Sequence, residues 1–407
     1  YRFQNTSGQG WTLCFGMDPG YDLSAQANGV AVPAVRTGYE ESNMALWELT
    51  LPGEEQVELT LEYGGFPREW NIVSTSQGDP EISGTYLCLE NQRLAPYLLN
   101  VLPQGEGYPT TVEITLPGSM AVIPFGPEEA ARVEAHGDGT VTWRYESVSP
   151  GGILYAGDYI REDIEAGGIT IAFYYGRRHQ AVMEDARAAE AVQAVVDYCA
   201  GHYGPLSFGA GGTLKLVQSR VRGGGYATDG ASLLDEADFT AANLGDAGKG
   251  AGAGEVMIHE LVHQWWGLGN MFDTADPWSA EGLTCYTTYR IAKELYGEDY
   301  AREHYVNQWR AEVEDYYLNF YVRHPEYLEK LPEEERLTIS NSLSQVRRYC
   351  EMPLKLLKAE ALVGGEEAMD QILYGLFNRE IDYTYPYLTY QDFLDACGLT
   401  EEDLDLG

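Results

Sequence analysis

The feature that most constrains this chain is a change in the period of its hydrophobic pattern. Up to about residue 175 apolar side chains recur at every second position: Val57, Leu59, Leu61, Tyr63; then Val112, Ile114, Leu116; then Val141, Trp143, Tyr145; then Ile169, Ile171, Phe173. A period of two sends alternate side chains to one face of a pleated strand, so each run reads as a half-buried strand. Turn clusters such as Tyr63-Gly-Gly-Phe-Pro and Leu116-Pro-Gly-Ser separate the runs, with glycine and proline supplying the backbone angles that reversals require. From about Gln180 the pattern changes. Ala181 to Tyr203 is rich in Ala and Glu at helical spacing and is stopped by Gly204-Pro205. A strand-like piece starting at Thr213 follows, and helical patterns dominate beyond residue 254.

Two periods in succession imply two layer architectures. The expected fold class is therefore α+β: a β-rich N-terminal domain over residues 1–178, an antiparallel sandwich or saddle, then a mainly α-helical domain over residues 179–407. A chain of 407 residues allows two or three domains at roughly 100–200 residues each, and it contains no internal repeat.

Composition narrows the partners. Lys plus Arg number 26 against 63 Asp plus Glu, a net charge of −37, so nucleic acid and anionic lipid are disfavoured. The hydrophobic fraction of 44% supplies a globular core. Six cysteines are scattered without a C-x-x-C pair, the pattern of reduced core residues rather than a disulfide scaffold or thiolate metal site. No apolar run reaches the 18 or so residues of a membrane helix, and the first residues lack the regions of a signal peptide. A start at Tyr1 without Met reads as a soluble fragment or processed form, whose parent is cytoplasmic or extracytoplasmic, free or membrane-anchored. The Gly-rich stretch from Gly245 has Lys249 followed by Gly250 instead of Ser or Thr and no strand just before it, so it reads as a loop and not a phosphate cradle.

The segment from Val256 to Gly267 carries the chemistry. It contains H-E-x-x-H as His259, Glu260, Leu261, Val262 and His263. Ile258, Leu261, Val262 and Trp265 follow helical spacing and form one apolar stripe, while Gly267 offers a stop. On such a helix His259 and His263 lie one turn apart and can converge on one ion, with Glu260 beside them. A catalytic zinc takes three protein ligands and keeps one open position. Asp273, Asp276 and Glu281 are the acidic candidates for the third.

The run His259-Glu-Leu-Val-His-Gln-Trp-Trp-Gly, followed by Trp278-Ser-Ala-Glu281-Gly, resembles the aminopeptidase N group of gluzincin zinc peptidases. The resemblance implies a thermolysin-like catalytic domain, one Zn²⁺ per chain, and Glu281 as third ligand ahead of Asp276. The gap from His263 to Glu281 is one residue shorter than is usual in that family. In the family a tyrosine in Y-E-K-G opens a helix that ends in L-L-G. Tyr349, with Gly364 fifteen residues later, matches that layout without the Glu-Lys-Gly letters, and the implied role is a hydrogen bond to the reaction's oxyanion. The family's substrate loop, G-x-M-E-N, corresponds to Gly224, Gly225, Tyr226, Ala227 and Thr228. Ala227 stands where the family has the Glu that holds the substrate's α-amine. Glu90, in Leu87-Cys-Leu-Glu-Asn, is a loosely aligned acidic alternative. Tyr155-Ala-Gly-Asp-Tyr and Thr389-Tyr-Gln-Asp-Phe-Leu extend the resemblance across nearly the whole chain, and the family's C-terminal helical domain has no counterpart.

The function expected is zinc-dependent hydrolysis of a peptide substrate, aminopeptidase-like, with Glu260 as general base and Tyr349 steadying the oxyanion. Because of Ala227, an endopeptidase and a non-catalytic peptide-binding descendant stand as alternatives. Neither a nucleic-acid partner nor a membrane-spanning segment is expected.

Overall fold

Strand pairing explains why the first part of the chain needs no helices for its core. The computed structural model describes all residues except 42–43, 69–80, 102–107, 127, 149–151, 207–212, 220–224, 229, 237–252, 276, 382–383 and 407. The described residues fall into two compact units, 1–160 and 161–407.

In the first unit, strands Arg2–Gln4, Gln56–Gly65, Tyr21–Ala27 and Val30–Val32 form one antiparallel sheet, and Tyr97–Leu98, Trp11–Met17, Met44–Leu51 and Ala34–Glu41 form another. Leu13, Phe15, Leu49 and Leu51 from one sheet and Ala25, Ala27, Val57 and Leu59 from the other meet in a single buried cluster, so the pair is a sandwich. The expected alternation is visible on Gln56–Gly65, where Val57 and Leu59 are buried and Glu58 and Thr60 exposed. A three-stranded sheet (Thr110–Pro117, Thr140–Ser147, Ala131–Ala135) and a four-stranded one built around Ile153–Gly157 repeat this arrangement over Leu87, Met120, Val122, Tyr145 and Leu154.

The strand Ile169–Gly176 departs from the half-buried pattern expected of it. It pairs in parallel with Thr213–Ser219, which pairs in parallel with Ala231–Asp235, and Gly225–Thr228 closes one edge antiparallel to that strand. Residues 171–175 are all buried, as parallel sheets covered on both faces require.

Helices make up most of the rest. The helical run after residue 180 is two helices, Gln180–Ala186 and Ala188–Tyr203, separated by Arg187 in the left-handed region (φ 53°). The later helices include Ala280–Tyr296, Asn307–Leu318, Glu333–Val346, Met352–Val363 and Glu366–Phe377. Tyr289, Tyr305, Trp309, Val313 and Leu354 form a core between several of them. None of the six cysteines is in a disulfide. No helix among the described residues is long and apolar enough to cross a membrane.

Candidate metal centre

The histidine helix, Ala253–Val262, owes its orientation to its apolar side. Met257, Ile258, Leu261, Val262 and, just beyond, Trp265 and Trp266 are all 0% exposed. Burying a side chain of this size is worth about 1.5–3 kcal/mol, which fixes the rotation of the helix and hence the aim of its polar side. His263 lies one residue past the helix, but its N–H donates to His259 O at 3.1 Å, so one α-helical turn joins the two imidazoles.

The residues after His263 fasten the helix end. Gln264 Nε2 donates to Thr228 O at 2.9 Å, and Gln264 Oε1 accepts from Gly230 N at 3.1 Å. Ser232 Oγ donates to Glu260 O at 2.8 Å. The helix is thereby tied to the hairpin at the sheet edge. Trp265 Nε1 donates to Gly204 O at 2.8 Å and Trp266 Nε1 to Thr287 Oγ1 at 3.0 Å. Gly267, at φ 111°, ends the segment, and a Cβ there would come within 2.7 Å of Ala280 Cβ. Glycine thus permits the close approach of the glutamate helix, Ala280–Tyr296.

Glu281 sits in the first turn of that helix. Trp278 before it is fully buried against Phe272, Tyr390 and Phe393 and donates to Leu388 O at 3.2 Å. Gly282 after it has no room for a side chain, because a Cβ would lie 2.4 Å from Met352 Cγ. The W-x-x-E-G spacing therefore has a packing reason at each end.

These supports bring three donors together. Glu281 Oε2 is 3.0 Å from His259 Nε2 and 3.3 Å from His263 Nε2, and the two Nε2 atoms are 3.1 Å apart. Ligand atoms 2.0–2.1 Å from a tetrahedral ion are separated by about 3.3–3.4 Å, so this triangle is of the size a zinc ion needs. The proton inventory points the same way. His263 Nδ1 lies 3.0 Å from Trp266 O, which can only accept, so Nδ1 carries the hydrogen. Nε2 of the neutral ring then turns a lone pair toward a carboxylate and another imidazole nitrogen, an arrangement that a shared cation satisfies. Thr284 Oγ1, 3.2 Å from the same Nδ1, adds a second partner.

The electrostatics reflect this crowding. Burial alone would raise the Glu281 pKa, but the imidazoles of His259 and His263 beside it hold it well below the usual carboxylate range. Burial lowers the His263 pKa, but the Glu281 and Glu260 carboxylates and the Trp266 carbonyl together raise it by more, so the net shift is upward. Burial also raises the Glu260 pKa against the opposing pull of His259 and His263. The Tyr349 ring stacks on His259 with centroids 6.0 Å apart, and burial together with the Glu281 charge pushes its phenol pKa well up.

The edge strand Gly225–Thr228 reaches the same place. A Cβ on Gly225 would lie 2.2 Å from Glu260 Cγ, so the strand backbone runs directly against that carboxylate side chain. Tyr226 is 38% exposed on the same strand, and Ala227 pairs with Ser232. Gly224 and Asp276 lie outside the described residues. Asp273 is engaged away from the cluster, accepting from Ala275 N at 3.2 Å and from the Tyr385 hydroxyl. In the other unit, Glu90 lies 3.6 Å from Arg93 Nη1. Sequence reasoning passed over Gln264 and Thr284; the position of Gln264 directly after H-E-x-x-H is the one signal that could have found it.

A mainly antiparallel N-terminal part followed by a helical C-terminal part is a fold shared with solved zinc metallopeptidases. No family model matches the chain, and no curated protein does. Among solved structures, the M1 zinc metallopeptidase of Deinococcus radiodurans is similar at a TM-score of 0.51 and 19% identity, covering 97% of this chain and 84% of that one. A two-domain M1 metallopeptidase mutant bound to L-tryptophan gives a TM-score of 0.53 at 19% identity, covering 97% of this chain and 85% of that one. Yeast LTA4 hydrolase in complex with bestatin gives 0.56 at 14% identity, covering 97% of this chain and 60% of that one.

Proposed function

We propose that the chain is a zinc-dependent peptidase of aminopeptidase-like type, in which His259, His263 and Glu281 hold the metal. The single observation that carries this reading is the triangle of His259, His263 and Glu281 donors with Glu260 beside it. Solved neighbours of the fold are bound to L-tryptophan or to a Tyr-Ser-Ala substrate, which supports a peptide as the ligand class here.

A zinc ion bound by these residues would lower the pKa of water and polarise a carbonyl. The chain's own groups do the remaining work. Glu260, its pKa raised by burial, accepts a proton from the attacking water and delivers it to the leaving amine. Tyr349, whose raised pKa keeps the phenol protonated, donates a hydrogen bond to the oxyanion. The strand Gly225–Thr228, being a sheet edge, can pair with an extended peptide and lay it past Glu260.

An endopeptidase is the second reading, and Ala227 is the observation that favours it, since a methyl group cannot hold an ammonium. Assaying a free-amine aminoacyl reporter beside an N-blocked internal peptide separates the two. Hydrolysis of neither by zinc-loaded protein would overturn both in favour of a binding module.

A further inference from the structure

Arg348 immediately precedes Tyr349 in a π-helical turn, Arg347–Glu351, inserted between two α-helices. Single π-turns inside helices concentrate at functional sites. The side chains around the turn take distinct directions. Cys350 packs on the aromatic core of Tyr289, Tyr305 and Trp309, Tyr349 stacks on His259, and Arg347 Nε donates to Glu351 Oε2 at 2.8 Å. Successive residues of a π-turn are rotated by somewhat less than the roughly 100° of an α-helix, so the Cα–Cβ bond of Arg348 leaves the turn on the side away from Cys350. Met352, one turn on, shares that side and packs on Gly282, and a Cβ on Gly282 would lie 3.7 Å from Arg348 O. The Arg348 backbone therefore stands beside the first turn of the glutamate helix, next to the residue that follows Glu281.

Among the described residues, no anion is paired with the Arg348 guanidinium. Arg348 Nε is enclosed without a hydrogen-bond partner. Among the described residues, every other lysine or arginine that is not exposed has a polar or charged partner: Arg93, Lys215, Arg290, Lys293, Arg347, Lys355, Lys358 and Arg379. The shortage is of cations, since 63 acidic residues face 26 basic ones. A part-buried guanidinium without a paired anion, on the residue next to Tyr349, is a place where a ligand can supply the charge. Glu281 is taken up by the two histidines.

We propose that Arg348 is a carboxylate-binding subsite that selects peptides carrying a carboxylate close to the cleaved bond. This rests on the peptidase reading above. A guanidinium presents a planar fork that matches a carboxylate with two charge-assisted hydrogen bonds. The acidic surface as a whole works against an anion, but exposed charges farther away than about 8 Å are largely screened at physiological ionic strength. The carboxylate comes either from the free C-terminus of a short peptide or from an acidic side chain.

Calorimetric titration of zinc-loaded Glu260→Gln protein, which cannot turn the ligand over on this mechanism, distinguishes the sources with three probes. These are Ala-Ala-Ala, its C-terminal amide, and Ala-Glu-Ala amide. One of the two acids binds about tenfold or more tightly than the neutral amide, and which one names the source. Adding Arg348→Gln removes or reverses that advantage, because only the acidic surface remains. Arg348→Lys keeps part of it. Equal binding of acids and amide, or an advantage that persists in Arg348→Gln, overturns the proposal. Should Arg348→Gln also lose the neutral amide, Arg348→Lys decides, by narrowing the acid-to-amide ratio or leaving it intact. Acid-selective binding through Arg348, with no hydrolysis of any peptide by the wild-type chain, would leave the subsite standing and remove the catalytic reading.

Discussion

The histidine helix and the edge strand Gly225–Thr228 approach the same carboxylate, Glu260, with very different degrees of fixation. The helix presents its polar side from a fully buried apolar stripe and is tied down by Ser232, Gln264, Trp265 and Trp266. The strand has no fully buried residue, exposes Tyr226, and carries Ala227 where the resembling family has an acid. Groups that must meet to within a few tenths of an ångström are held by packing, whereas groups that face a variable ligand stand at a sheet edge and can be exchanged at little cost to folding. On the proposed function, chemistry is kept by the first region and recognition has changed in the second.

Removing the metal tests the fixed side most severely. Dialysis against a chelator, or His263→Ala, should reduce peptide hydrolysis to background, and zinc should restore the dialysed protein but not the variant. The dialysed protein should also melt at a lower temperature, since a ligand at 100 times its Kd adds about 2.7 kcal/mol to stability. Activity that survives both treatments breaks the metal reading. Glu260→Gln comes next. It should retain about one zinc per chain while kcat falls roughly 10²–10⁴-fold, the usual range for a lost general acid–base group. Lost zinc in that variant would mean that Glu260 holds the site together instead of moving protons.

Tyr349→Phe removes one oxygen from the same region, and kcat should fall about 10²–10³-fold, as when one oxyanion donor is lost. KM should change little, since the bond is made in the transition state. An equal loss through KM would place the phenol on the substrate's ground state.

Legibility in the sequence follows the same division. The convergence of His259 and His263 is readable because a helix fixes i and i+4 on one face, and that of Glu281 because Trp278 and Gly282 mark the packing around it. The antiparallel N-terminal sheets are readable from alternation, as in Thr110–Pro117, where every other residue is exposed. Contacts between distant segments are not. Gln264 serves Thr228 and Gly230, more than thirty residues away, and no local pattern announces that. Asp273 is an acidic candidate by residue type and nearness in sequence, and only the structure shows its carboxylate turned to Tyr385. Ile169–Gly176 has the letters of a half-buried strand, yet its parallel neighbour Thr213–Ser219 and the cover on both faces bury nearly all of it.

The smallest expected effect is the one that speaks most directly to recognition. If the edge strand lost amine selection through a single position, Ala227→Glu should restore it without disturbing the metal. Residue 227 is partly exposed and pairs only through its backbone with Ser232, so a longer side chain there has a route to solvent, and melting should shift little. A new carboxylate facing a substrate ammonium adds a charge-assisted contact, and kcat/KM on a free-amine reporter should rise about tenfold relative to an N-blocked peptide. The ratio is the quantity to measure, because an acid near Glu260 also raises the pKa of that carboxylate and lowers both rates together. An unchanged ratio would mean that position 227 does not face the amine, and that the strand differs from the family in where it runs and not only in which residue it carries.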